Sequence, residues 1–205
     1  MTVAAVVLAA GGSSRANGKN KLLFPIDGEP MIARVCRRVV KAGFHPVIVV
    51  TGYEKSRIRG VLEDQDVMTV HNDRWKDGMS ASIRVGLGRV PAEAAGVSVV
   101  LGDMPFVTVR TLGLLWHRFV ELAGKKIVYP THGGRQGNPV LFPRQCFREI
   151  LAITGDRGCK VVLNRHMEDA VSVPVKSKEI LLDCDTESDV LQQFDQISHE
   201  STVQR

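Results

Sequence analysis

Short aliphatic runs alternate with amphipathic stretches from one end of the chain to the other. The runs Ala5–Ala10, Val47–Thr51, Val67–His71, Val97–Gly102, Lys126–Pro130, Pro139–Phe142, Ala170–Pro174 and Ile180–Asp183 read as strands. Several are almost continuously apolar, the pattern of strands covered on both faces. The gaps read as helices. After Pro30, at a first helical position, Ile32, Val35, Cys36 and Val39 fall on one face, and Gly43 ends the pattern. Ile58, Val61 and Leu62 mark a second helix, and Ile83, Leu87 and Val90 a third. Thr108 caps a fourth, which carries Leu112, Leu115, Trp116, Phe119 and Leu122. Thr186 with Asp189 three residues on has the form of a capping box. Strands alternating with helices predict an α/β sandwich around a mainly parallel sheet. In such sheets ligands bind beyond the carboxyl ends of the strands.

Size and composition narrow this. The 205 residues predict a single domain over residues 1–196, with a polar, fraying tail at 197–205. No apolar run approaches the ~20 residues that span a bilayer, so no membrane segment is expected. The apolar start lacks a basic flank and runs into glycines, so it reads as a buried strand and not a signal peptide. Cys36, Cys146, Cys159 and Cys184 have neither disulfide nor zinc spacing; they read as reduced thiols in a cytoplasmic protein. The net charge of +5 suits a polyanionic substrate. With only 5% aromatic residues and no basic run interleaved with aromatics, a nucleic-acid partner is not expected.

The chemistry-bearing residues cluster at predicted strand ends. The first strand runs into Gly11-Gly12-Ser13-Ser14-Arg15, then Ala16-Asn17-Gly18-Lys19-Asn20-Lys21. Glycines let backbone N–H groups approach phosphate oxygens, and Arg15 and Lys21 add positive charge. A dinucleotide GxGxxG from Gly11 would need glycine at Ser13 and Ala16. A Walker A loop ending at Gly18-Lys19 would need glycine at Ser13 and Ser or Thr at Asn20. Both are excluded. Asp103 leaves the aliphatic run Val97–Leu101, and Asp183 and Asp185 follow Ile180-Leu-Leu182. Carboxylates there would suit Mg²⁺ carried by a nucleotide; helix or turn caps are the competing roles.

Leu8-Ala-Ala-Gly-Gly-Ser-Ser-Arg15 followed by Lys21-Leu-Leu resembles the signature of the MobA-like NTP transferases. Asn72-Asp-Arg-Trp-Lys-Asp-Gly-Met-Ser80, Gly102-Asp-Met-Pro105, Gly137-Asn-Pro-Val-Leu-Phe142, Gly155-Asp-Arg-Gly158 and Asp183-Cys-Asp-Thr186 follow in the family's order, over about residues 3–195. The molybdenum-cofactor cytidylyltransferase branch is the most similar. One departure stands out: Arg15-Ala16-Asn17-Gly18 carries an extra residue and lacks the family's methionine.

The resemblance implies a three-layer α/β/α Rossmann-like sandwich of the nucleotide-diphospho-sugar transferase type, with a mixed, mainly parallel sheet. It implies that Arg15, Lys21 and Asp103 serve catalysis. Leu8, Ala9, Ala10, Gly11, Gly12, Lys21, Gly78, Met79, Ser80 and Asp103 would bind the nucleotide. Asn138, Pro139, Asp156 and Arg157 would face the acceptor, with His132 or Arg135 of the glycine-rich loop before Asn138 as further candidates. Asp103 and Asp185 would hold Mg²⁺ or Mn²⁺, with Asp183 in support. Ala10, where guanylyltransferase relatives carry glycine, favours CTP over GTP. The expected reaction transfers CMP to the phosphate of a pterin-type acceptor, and a client molybdoenzyme is a possible partner. Two alternatives stay open: a related transferase using GTP or a sugar or polyol phosphate, and a non-catalytic nucleotide-binding maturation protein.

Overall fold

The structure, a computed structural model, describes residues 1–13, 19–186 and 188–193. Among them, ten strands appear in chain order: β1 (Val3–Ala9), β2 (Pro25–Ile26), β3 (Glu29–Pro30), β4 (Val47–Thr51), β5 (Met68–His71), β6 (Gly96–Leu101), β7 (Val128–His132), β8 (Arg135–Gln136), β9 (Val140–Pro143) and β10 (Val171–Pro174). The helices include α1 (Met31–Lys41), α2 (Lys55–Gly60), α3 (Met79–Leu87), α4 (Val109–Glu121), α5 (Phe147–Leu151) and α6 (Lys160–Arg165), and residues 188–193 are helical as well.

The main sheet runs β10-β7-β9-β6-β1-β4-β5, with β8 added to β7. Among the described strands of this sheet, β8 and β9 alone run antiparallel to their neighbours. Alternation is concealed in the aliphatic strands. In β1, Val3, Ala5, Val7 and Ala9 pack into one core, while Ala4 and Val6 pack into the other. The first core holds α1, α2 and α4; the second holds α3, α5 and α6. A strand covered on both faces needs no polar alternation, and the result is the expected three-layer α/β/α sandwich.

Local chemistry sets the helix ends. Thr108 Oγ1 accepts from Thr111 N at 3.2 Å and starts α4. Gly43, at φ +91°, follows α1. The predicted capping box is present and reciprocal: Thr186 N donates to Asp189 Oδ2 at 2.8 Å, and Asp189 N to Thr186 Oγ1 at 3.1 Å.

Three expectations need correction. Ile180–Asp183 is not a strand: Lys178–Leu181 is a 3-10 turn. Ser177 Oγ accepts from Glu179 N and starts it, and the fully buried Ile180 anchors it. β7 lies two residues later than expected, because it continues through His132 into a hairpin with β8. Gly133 (φ +56°) and Gly134 (φ +75°) make the turn. The glycine-rich segment after Pro130 is therefore part of a strand pair and not a free loop. Pro30 precedes α1 instead of entering it, because it closes the β2–β3 hairpin around Asp27-Gly28.

Candidate active site

The position of the site follows from sheet order. From β1 the chain steps outward to β4 and β5, then crosses back to β6 on the other side of β1. The order in which strands are added reverses between the parallel strands β1 and β6, and α/β sheets open a crevice at such a point. The register pairs Leu8 with Leu101, and Gly102 N donates to Leu8 O at 3.1 Å. Gly11 and Asp103 therefore emerge side by side.

A third arm arrives from the C-terminal part of the chain. Cys184 N donates to Asp103 O at 2.9 Å, and this bond fixes Asp183 and Asp185 beside Asp103. Carboxylate oxygens of Asp103, Asp183 and Asp185 all lie within 4.8 Å of one another. Asp189 accepts from the backbone N–H groups of Asp185 and Thr186, so Asp189 and Thr186 cap the turn that follows Asp185. A trio of hard oxygen donors is the kind of set that takes Mg²⁺ or Mn²⁺.

Lys21 lies within this cluster. Its Nζ is 2.6 Å from Asp103 Oδ2 and 2.7 Å from Asp185 Oδ1. Burial works against the ammonium, but the two carboxylates, Asp103 foremost, outweigh it and hold the Lys21 pKa above its ordinary value. The backbone of Lys21 is fixed as well. Its N–H donates to Ser13 Oγ at 3.1 Å, and buried Asn20 accepts from Leu22 N at 3.2 Å, capping the turn Lys21–Leu23.

The three arms border a cleft of about 810 Å³. Of the residues expected here, Leu8, Ala10, Gly11, Gly12, Lys21, Gly78, Met79, Asp103, Asp156 and Asp185 line it. Ala9 does not; it is 1% exposed and packs into the core. Ser80 is also buried, and its N–H donates to Gly155 O at 3.2 Å. Asn138 lines a smaller adjoining hollow of about 190 Å³, which shares Met79 and Leu101 with the cleft. Pro139 and Arg157 line neither, and Arg157 is exposed. His132 and Arg135 line neither; a ring nitrogen of His132 sits 3.1 Å from Val175 O. Arg15 lies outside the described residues, as do the extra loop residue and the 197–205 tail.

Asp156 has a more specific place than the sequence suggested. Its Oδ1 accepts from Met79 N at 3.1 Å, so it caps α3 from 77 residues away. Gly78, at φ +98°, has its Cα so close to Gly155-Asp156 that a Cβ would stand 2.8 Å from their backbone atoms. A capping carboxylate would repel an acceptor phosphate, so Asp156 is a border of the cleft more than an anion ligand.

Sequence reasoning missed Trp75, Lys76 and Asp77 on the cleft wall, which Ser82 also lines; Lys160 lines the smaller hollow. Trp75 to Asp77 stood within a motif that was read only for its Gly78-Met79-Ser80 end. Ser82 is held by Asn72: Asn72 Oδ1 accepts from Arg74 N at 3.0 Å, which turns its Nδ2 to donate to Ser82 Oγ at 3.0 Å.

Residues 5–171 match the MobA-like NTP transferase domain. The molybdenum cofactor cytidylyltransferase of Escherichia coli (strain K12) is 26% identical over 91% of this chain and 92% of its own length. Rv0371c of Mycobacterium tuberculosis H37Rv is 28% identical, with a TM-score of 0.82 over 95% of this chain and 98% of its own. Its complex with manganese aligns at 27% identity and a TM-score of 0.75, over 94% and 97%. The bifunctional protein GlmU of Symbiobacterium thermophilum is 32% identical over 58% of this chain, but that match spans 25% of the longer protein. Among the described residues no helix is long and apolar enough to cross a membrane. The matched region takes in the glycine turn, Lys21 and Asp103, so the chain belongs to the MobA-like NTP transferase family and is a nucleotidyltransferase.

Proposed function

We propose that the protein is a Mg²⁺-dependent cytidylyltransferase that transfers CMP from CTP to the phosphate of a molybdopterin-type acceptor and releases pyrophosphate. The observation that carries this reading is the meeting of Lys21 with Asp103 and Asp185 on the wall of the cleft. The E. coli relative named for cytidylyl transfer to the molybdenum cofactor supports the choice of substrates, as does the manganese complex of Rv0371c for a divalent ion.

The reaction joins an acceptor phosphate oxygen to the α-phosphorus of CTP as the bond from that phosphorus to the β-phosphate oxygen breaks. The attacking oxygen is already anionic, so the protein's task is alignment and charge neutralisation. Asp103 and Asp185 would hold Mg²⁺, Asp183 supporting them; the ion supplies Lewis-acid neutralisation of phosphate charge. Lys21 and Arg15 add positive charge to the triphosphate, and the backbone N–H groups of the Gly11-Gly12 turn meet its oxygens. Leu8, Ala10, Gly78 and Met79 border the base. The hollow lined by Asn138 and Lys160 receives the acceptor. This reading places the protein in the cytoplasm.

Pyrophosphate release tests it. CTP with molybdopterin should be the productive pair in a panel that includes GTP, ATP and UTP, with sugar phosphate and methylerythritol phosphate as other acceptors. Turnover should need Mg²⁺ or Mn²⁺ and be lost in Asp103→Ala; undiminished turnover in that variant sinks the metal role.

A further inference from the structure

We propose that Trp75 is the positioning residue of the glycine turn: its indole, and not the nucleotide, is what requires glycine at position 12, and through that contact it sets where the phosphate-facing backbone lies. A Cβ added at Gly11 would meet nothing within 4 Å. One added at Gly12 would stand 2.8 Å from Trp75 Cζ3 and 3.2 Å from Cη2. The two glycines thus differ. Gly11 is open towards the cleft, and Gly12 lies against the six-membered ring of the indole.

The ring itself is held at its root. A Cβ at Gly52 would stand 2.6 Å from Trp75 Cβ, 2.7 Å from Cγ and 2.6 Å from Ala10 O. Gly52 follows β4, the parallel neighbour of β1. Tyr53 N donates to Ala10 O at 3.2 Å, and the Tyr53 ring sits tilted against Trp75 at a centroid distance of 5.9 Å. One end of the indole is clamped to the sheet, and the other presses on Gly12. Rigid aromatic packing of this kind transmits position without hydrogen bonds. Trp75 also lines the cleft, so a triphosphate entering between Gly11 and Lys21 comes within reach of the ring.

The inference rests on the family's nucleotidyl transfer and not on the choice of CTP. The test is a double-mutant cycle on NTP affinity with Gly12→Ala, Trp75→Leu and the pair, measured by calorimetry. The probe is whichever of Mg²⁺ with CTP, GTP, ATP or UTP the wild type binds most tightly. Gly12→Ala drives a methyl into the ring and should weaken binding by about tenfold. In the Trp75→Leu background the clashing ring carbons are gone, and Gly12→Ala should weaken binding less than about threefold further. Coupling of this sign supports the proposal. An equal loss in both backgrounds overturns it, since glycine would then be required by the phosphate itself. Melting curves separate a merely structural role: a cycle that couples in melting temperature but not in NTP affinity also overturns it. Should a Gly12 variant fail to fold, Trp116→Phe leaves Trp75 as the sole tryptophan, the sequence holding 2. Its emission should then change on addition of the Mg²⁺–NTP probe, and unchanged emission at saturation, shown by calorimetry, overturns the proposal.

Discussion

Replacing Lys21 by methionine should tighten the binding of a free divalent ion while weakening that of a metal–NTP complex. The Lys21 ammonium stands between oxygens that a cation would need, at 2.6 Å from Asp103 and 2.7 Å from Asp185. An ion entering alone must therefore break two charge-assisted hydrogen bonds. Such bonds contribute about 1.5–3 kcal/mol each in protected settings. These side chains are 16% to 29% exposed, so solvent screening lowers the sum. A net cost of about 2 kcal/mol corresponds to roughly 30-fold in affinity. Lys21→Met removes that competitor, so free Mn²⁺ should bind roughly 30-fold more tightly, as read by the free-ion signal in electron paramagnetic resonance. With Mn²⁺–CTP the wild-type lysine regains a partner on the phosphates, so there the variant should be the weaker binder. Free Mn²⁺ binding that is unchanged or weaker in Lys21→Met would refute the competition, leaving Lys21 a phosphate ligand alone.

Four further outcomes follow from the described contacts. Glu179 is 3% exposed and its Oε1 accepts from Thr108 N, Thr108 Oγ1 and Thr111 Oγ1, so Glu179→Ala should cost about 3 kcal/mol in urea unfolding; a midpoint matching wild type would contradict this. Burial raises the thiol pKa of Cys36, Cys159 and Cys184 to about 12 and of Cys146 to about 11. At pH 8 a thiol reagent should label the native protein slowly and all four cysteines promptly once it unfolds. Because these protons are held more tightly in the folded state, stability should also fall as pH rises from the ordinary thiol value of 9.0 towards 12. The bidentate Arg37–Glu29 pair, at 2.8 and 2.6 Å, holds the Glu29 pKa below its ordinary 4.5. Its contribution is present above that value and lost as pH falls through the lowered one, so melting curves of wild type and Glu29→Gln should converge in acid and separate towards neutrality.

What could be read from the sequence depended on the range of the interaction. The aliphatic runs of β1, β4 and β6 declared themselves, because burial on both faces leaves a composition signal inside a single segment. The reciprocal Thr186–Asp189 cap was legible for the same reason. The β2–β3 hairpin was not seen, although Asp27-Gly28 is a strong turn signal; two-residue strands carry no alternation to flank it. Ile180-Leu-Leu182 looked like a strand because three apolar residues cannot tell a strand from a turn anchored by one buried side chain. The residues of the site were legible as motifs, and their meeting was not. Asp156 capping α3, and Trp75 pressing on Gly12, are contacts between segments far apart in the chain, on which local pattern is silent.

The Lys21–Asp185 pair also bears on how the protein comes into being. Its partners are separated by 164 positions and the Lys21–Asp103 pair by 82. Contacts of such sequence separation form late, because much of the chain must be ordered before they repay loop closure. During synthesis the glycine turn leaves the ribosome well before the aspartates of the third arm. A growing chain can thus hold a folded β1–β6 core while lacking the final wall of its cleft. On the proposed metal role, competence to hold a divalent ion between Asp103 and Asp185 would then mark maturation, separable in time from the compaction of the core.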